Sequence, residues 1–371
     1  MRMRLIRKSI KNIWQIIVIV WLVFAYQLML NMVPDEVKLI DGDLSKLDIS
    51  MPVTFECRDS GKRFIDTSVM ENQQLQSSMD KAGAERNEID MASDTVVLRA
   101  KLFGIIPIKD VQADIVAEQE VYASGENIGI YVQTDGIFVI GTGNFEGMDG
   151  MLYAPAQNVL KSGDYICAVD GVELENKEAL MDAVDKCEGK SLVLRIRRNG
   201  ETLELYIQPK LSKEETYKLG VWVRDDLAGI GTLTYISQDG SYGALGHAVT
   251  DMDTGSMLEV GTGKLYNSRL VGIVKGESGK PGELSGVINY EEKYCMGDIE
   301  ENCERGIYGI LHEKNNLLEN AVAYPVGYKQ DIEPGEAEII SDIDGTIAHY
   351  KIRITEVNYR KNKENKSILF E

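Results

Sequence analysis

Only three histidines occur in 371 residues, and one of them stands in a setting suited to proton transfer. In Tyr242-Gly-Ala-Leu-Gly-His247-Ala-Val-Thr-Asp251-Met-Asp253-Thr, an imidazole lies among glycines and small residues with two acids just beyond it. A general base needs a pKa near ambient pH, reach to a hydroxyl and a carboxylate that fixes its tautomer. His247 is therefore the candidate base and Asp251 the candidate orienting acid. The plainer reading of the same residues is a surface or packed histidine followed by two solvated turn acids. His312, in Gly309-Ile-Leu-His-Glu, and His349, in an alternating strand, keep that plainer reading.

A second chemistry belongs to the backbone. In Ile140-Gly141-Thr142-Gly143-Asn144 the glycines would let amides point at an anion, or would only close a turn. The elements around this segment read clearly. Asn127–Gly141 gives two strands around an Asp135-Gly136 turn, and Ser191–Ile207 a hairpin around Asn199-Gly200. Between them, Ala179, Leu180, Ala183, Val184 and Cys187 share one face of a helix over 176–187. With Leu160, Lys161-Ser-Gly163-Asp164-Tyr-Ile166, Asp170-Gly171 and Arg197-Arg-Asn-Gly, this order resembles a PDZ domain. The resemblance implies an extended peptide added as a strand at an open sheet edge. It also makes Ile140, Gly141, Thr142 and Gly143 the carboxylate-binding loop, while Gly163 and Asp164 shape the fold.

Three further blocks carry a sharper likeness: Gly220-Val-Trp-Val-Arg-Asp-Asp-Leu-Ala-Gly-Ile-Gly-Thr-Leu-Thr, the His247 block, and Gly306-Ile-Tyr-Gly-Ile-Leu-His. They resemble the stage IV sporulation protein B family, membrane-anchored serine peptidases with a PDZ domain before the peptidase domain. The resemblance implies a trypsin-like double β-barrel with His247 as base, needing no cofactor or metal. It places such a protein in the forespore inner membrane, facing the intermembrane space. There it would cleave a membrane-bound regulator of the sigma-K processing complex, with a carboxyl-terminal tail held by the PDZ domain. In the family the catalytic acid and a G-M-S-G-S-P serine block lie beyond the matched part, and neither motif occurs in these 371 residues. The expectation is an incomplete second barrel with open edges, and a chain inactive by itself or serving only as a tethered peptide binder. Lys275-Gly-Glu-Ser278-Gly imitates a trypsin-like nucleophile block. Ser278 follows His247 by only 31 positions, however, too few to cross between barrels.

Composition agrees with a mainly β, α+β architecture: 35 glycines, seven phenylalanines, 44% apolar and 27% charged residues. The net charge is −19, and with the five basic residues of 1–11 set aside the remainder carries −24. Such a body repels phosphate backbones, which excludes nucleic acid as a partner. The five cysteines show no C-x-x-C spacing and predict neither a disulfide framework nor a zinc site. Residues 12–34 hold no formal charge and are long enough to cross a bilayer. Basic residues precede them and Asp35, Glu36, Asp41 and Asp43 follow, so residues 35–371 are expected outside, tethered through lipid contact at 12–34. The expected organisation is a basic tail (1–11), an anchor (12–34), a small β-containing region (35–110), a PDZ domain (111–210) and a peptidase domain (216–371).

Overall fold

Apolar and polar residues alternate through much of the chain, and that period-two pattern yields strands wherever one face can be buried. A computed structural model describes residues 14–15, 17–21, 24–30, 33–40, 53–58, 64–65, 95–277, 280, 282–312, 318, 321–358 and 367–371. They are mainly β and form two compact units. Residues 1–120, 325–338 and 351–371 make the first, and 121–324 with 339–350 the second.

The first unit is built on β1 (Glu36–Ile40), β2 (Val53–Arg58), β3 (Phe64–Ile65), β4 (Thr95–Leu102) and β5 (Ile106–Val116), in sheet order β1-β5-β4-β2-β3. Only the β1–β5 pair is parallel. Leu98, Ala100, Val111 and Ala113 are wholly buried in its core, with Met29 and Leu30 packed against them. Val33 is also buried there, and the Tyr26 hydroxyl donates to the Ile108 carbonyl. The apolar segment thus ends docked on the sheet that follows it. Among the described residues no helix is long and apolar enough to cross a membrane. Residues 12, 13, 16, 22, 23, 31 and 32 of the expected anchor lie outside the described residues.

The second unit runs through β6 (Glu120–Ala123), β7 (Asn127–Thr142), β8 (Phe145–Glu146), β9 (Leu152–Tyr153), β10 (Tyr165–Val169) and β11 (Val172–Glu173) to helix α1 (Lys177–Lys186). It continues with β12 (Leu192–Arg198), β13 (Glu201–Ile207), β14 (Lys210–Leu211), β15 (Tyr217–Lys218) and β16 (Val221–Ser237). Then come β17 (Ser241–Ala244), β18 (Val260–Val274), β19 (Glu283–Ile288), β20 (Cys295–Cys303) and β21 (Gly306–Leu311). Six strands close on themselves: β7 pairs with β18, β18 with β20, β20 with β21, β21 with β17, β17 with β16, and β16 again with β7. Every pair is antiparallel, and closure leaves this barrel without an open sheet edge around its circumference. Ile128, Val132, Leu233, Tyr242, Leu265 and Met296 are among its buried core residues. The ring closes because β7, from the segment expected to form the PDZ domain, supplies one of its strands. Among the described residues no second barrel accompanies it.

A smaller module shares two of those strands. The order β13-β12-β10-β7-β16 places the second half of β7 beside β10 and the first residues of β16 beyond it. Leu180 and Val184 of α1 pack with Val139, Ile166, Leu194 and Leu219 in its core. Asn176 caps the helix by accepting from the Ala179 amide, 2.9 Å. The Asn199-Gly200 turn joins β12 to β13 with both residues at positive φ, 51° and 79°. Asp164 is buried under the Arg198 guanidinium at 2.6–2.7 Å and also takes the Lys161 amide.

The Asp135-Gly136 hairpin does not form. Both halves of β7 run along the same partner, β16, so the dipeptide becomes a kink inside one continuous strand. Gly136 has φ +92°, and a Cβ there would stand 3.2 Å from Cys167 Sγ. Arg197 holds the kink by donating to the Asp135 carbonyl, 2.6 Å. The boundaries expected near 110 and 210 shift for the same reason. Val111–Val116 belong to the first unit's sheet, while Val221–Arg224 complete the module. Replacing Gly136 by alanine should cost about 1–3 kcal/mol through the strained φ. Denaturant unfolding of the full chain measures this, and an unchanged midpoint would show that the kink tolerates a side chain.

Candidate functional site

His247 rides on the loop between β17 and β18, at one end of the barrel. Two left-handed residues precede it, Leu245 at φ 74° and Gly246 at φ 94°, turning the chain sharply outward. Leu245 anchors the turn: its amide donates to the Thr232 carbonyl, and its side chain lies over Gly231, where a Cβ would be 2.3 Å away. The imidazole is exposed, and its Nδ1 meets the Ala248 carbonyl at 2.9 Å. A carbonyl only accepts, so Nδ1 is the donor in this bond, and in the neutral ring the lone pair is then on Nε2. That is the tautomer a serine peptidase gives its base.

Asp251 does not orient the ring. It is fully buried, and one oxygen takes the Arg224 guanidinium at 2.5 Å. The other accepts from the Asp253 and Thr254 amides and the Thr254 hydroxyl at 2.9–3.1 Å. Asp251 is therefore the keystone of the loop, acting on His247 only through the backbone. Asp253 is half exposed and takes the second Arg224 nitrogen at 3.0 Å. Asn302 of β20 clamps the same loop by accepting from the Val249 amide and donating to the Val249 and Leu258 carbonyls, 2.8–2.9 Å. The far end is strapped to the module: the Glu259 amide donates to the Tyr165 hydroxyl, and Arg197 pairs with the Glu259 carboxylate. Ser278 lies outside the described residues. His312, by contrast, pairs with Asp298 at 3.0 Å, away from this loop's bonds.

The glycines at 141 and 143 have another use than the one expected of them. Ile140–Thr142 end β7, and Thr142 and Gly141 stand opposite Val221 and Trp222. The Gly143 amide donates to the Gly220 carbonyl at 2.9 Å. A Cβ on Gly143 would meet the Trp222 ring at 2.3 Å, so the indole explains that glycine. Amides committed to a strand partner are not free to cradle an anion.

The free amides lie on the opposite strand. Leu219 and Gly220 sit just before β16, and their N–H groups have no acceptor among the described residues, although their carbonyls are used by Ala156 and Gly143. Gly220 is left-handed, φ +70°, which suits successive amides turned to one side. From there Val221–Asp226 runs with β7 as its only strand neighbour among the described residues, leaving the other edge toward α1. The helix spans this edge. Asp185, near its end, takes the Tyr217 amide, and Lys177, at its start, grips Asp225 with both backbone amide and ammonium at 2.8 Å. Burial pushes the Asp225 carboxyl up, but those Lys177 bonds outweigh it and hold it below the ordinary range. Leu180, Val184 and Leu219, with Val221 and Val223 packed against them, form part of one apolar core beneath this edge. Sequence reading missed Leu219, Gly220, Arg224 and Asn302. A Leu-Gly-Val opening to a strand was the one visible signal.

Truncating Asn302 to alanine should leave the Val249 and Leu258 backbone groups unpaired, costing about 1–3 kcal/mol. Amide exchange at Val249 should quicken about tenfold or more. Unchanged exchange would show that the clamp does not hold the loop.

Residues 215–371 match the family model described as SpoIVB peptidase S55. No curated protein matches the chain. Among solved structures, the PDZ domain of the SdrC-like protein from Listeria monocytogenes is 21% identical over 24% of this chain and 87% of its own, with a TM-score of 0.21. So low a score carries no argument, and the family match stands on the peptidase segment. Over residues 215–371 the chain is similar to the SpoIVB peptidase S55 family, a likeness to a serine peptidase that covers this segment alone.

Proposed function

We propose that the chain is of the membrane-tethered sporulation endopeptidase type, with His247 as general base but no serine nucleophile block among its 371 residues and hence inactive by itself, and that the β16–α1 edge holds a partner's carboxyl-terminal tail. One observation carries the catalytic part: Nδ1 is committed to the Ala248 carbonyl, which leaves Nε2 free on an exposed loop. Nε2 would take the proton of an attacking serine hydroxyl and return it to the leaving amine. Asp251 contributes by fixing the loop. The substrate is a membrane-bound regulator whose cleavage starts pro-sigma-K processing, a reading supported by the family match. The uncharged run 12–34, with basic residues before and acids after, supports a single anchor with residues 35–371 outside the cytoplasm. The forespore inner membrane is the corresponding location.

For the 371-residue chain we expect no labelling by fluorophosphonates, since no G-M-S-G-S-P block is present. Labelling that survives Ser278→Ala but disappears in His247→Ala would overturn this expectation of inactivity and show that another residue of the chain supplies the hydroxyl.

The crevice supports a second activity that needs no nucleophile, peptide binding by strand addition. The two open amides of Leu219 and Gly220 favour it directly. In this reading a tail pairs with Val221–Asp225, its carboxylate at those amides and its last side chain over Leu180 and Val184. Free-carboxylate peptides should bind about ten- to a hundredfold more tightly than their amidated forms, the worth of a charged hydrogen bond. Trp222, 60% exposed beside the crevice, provides a fluorescence signal. Equal affinity of the two peptide forms would remove the carboxylate site.

A further inference from the structure

The crevice and the His247 loop are joined by one side chain. Arg224 belongs to the stretch of β16 that forms the crevice edge, yet its guanidinium ends on Asp251 and Asp253 of the loop. We propose that Arg224 is a positioning residue that transmits occupation of the β16 edge to the loop bearing His247. The proposal rests on the peptide-binding reading of that edge.

Coupling between two sites requires an element with two arrangements that both sites bias. Here that element is the first third of β16. Its pairing with β7 is irregular twice, between Trp222 and Val223 and between Arg224 and Asp226. Arg224 stands between the two irregularities, so its backbone position depends on how each is resolved. A peptide strand added along Val221–Asp225 demands evenly alternating amides and carbonyls, and therefore binds a regularised strand better than an irregular one. That difference in affinity is the driving force for a shift.

The receiving end is built to respond. Asp251 has no exposed surface and gathers the Asp253 and Thr254 amides, so moving its Arg224 partner moves the turn as a body. His247 lies only four positions before it, with the Asn302 clamp on Val249 between them. Electrostatics adds direction. Lys177, at the start of α1, is occupied by Asp225, and Arg197 is engaged with Asp135 and Glu259. Arg224 is the cation on Asp251.

The experiment uses the full chain in detergent micelles. Its probe is the tightest binder selected from random octapeptides with free carboxyl termini. Hydrogen exchange is followed at 219–225 and at 247–257, with and without the probe. Binding should slow exchange at both segments in the unaltered chain, by about fivefold or more at 247–257. In Arg224→Ala the probe should still protect 219–225 while protection of 247–257 is lost. If that variant fails to fold, Asp253→Asn, which removes only the exposed limb, should reduce the transmitted protection. Protection confined to 219–225 in the unaltered chain, or undiminished transmission in the folded variants, would overturn this inference and leave peptide binding standing. If no octapeptide protects 219–225, both readings fall together.

Discussion

The long antiparallel pairing of β7 with β16 is the interaction on which the second unit depends, because each strand serves two sheets at once. The first half of β7 and the middle of β16 close the barrel, and their other ends complete the module beside α1. A strand pair fixes relative position through a ladder of hydrogen bonds, which a flexible linker cannot do. The His247 loop is tied to β16 at two separate places, by the Leu245 amide on the Thr232 carbonyl and by Asp251 on the Arg224 guanidinium. A break in the pairing would unmake barrel, crevice and loop together.

How much of this was legible depends on whether the deciding contact was local. The helix was readable because its apolar face and its cap lie within one short stretch, and Asn176 caps it as its type suggests. Asn199-Gly200 was readable for the same reason. Asp135-Gly136 carried an equally strong turn signal and yet lies inside a strand. What overrules it is a partner about ninety residues away, since β16 holds both halves of β7 in register. The reading of residues 140–143 as a carboxylate loop missed a contact of the same kind. Glycines at 141 and 143 advertise an open backbone, but Trp222 and the Gly220 carbonyl consume the space and the amide.

His247 shows a milder version of the problem. Residue types and spacing single out the imidazole, and its neighbours Asp251 and Asp253 look like partners. Spacing cannot tell which way a buried carboxylate faces. Asp251 has more to gain from Arg224 and a cluster of amides than from an exposed ring, because a buried charge must be fully paired to be tolerated. The orienting task then falls to a backbone carbonyl, which leaves no trace in sequence.

A base held by its neighbour's carbonyl differs physically from one held by a carboxylate. The carbonyl selects the tautomer but offers only a partial charge to steady the imidazolium that forms during proton transfer. A loop of this kind therefore presents a correctly protonated histidine while withholding much of the electrostatic support. Its catalytic strength would depend on a further acid reaching Nδ1 or on a small movement of the turn. Asp251 and Arg224 govern that turn, and Arg224 stands on the edge where a partner's tail would dock. Under the proposed coupling, peptide engagement and the readiness of the base would both follow from one strand's position.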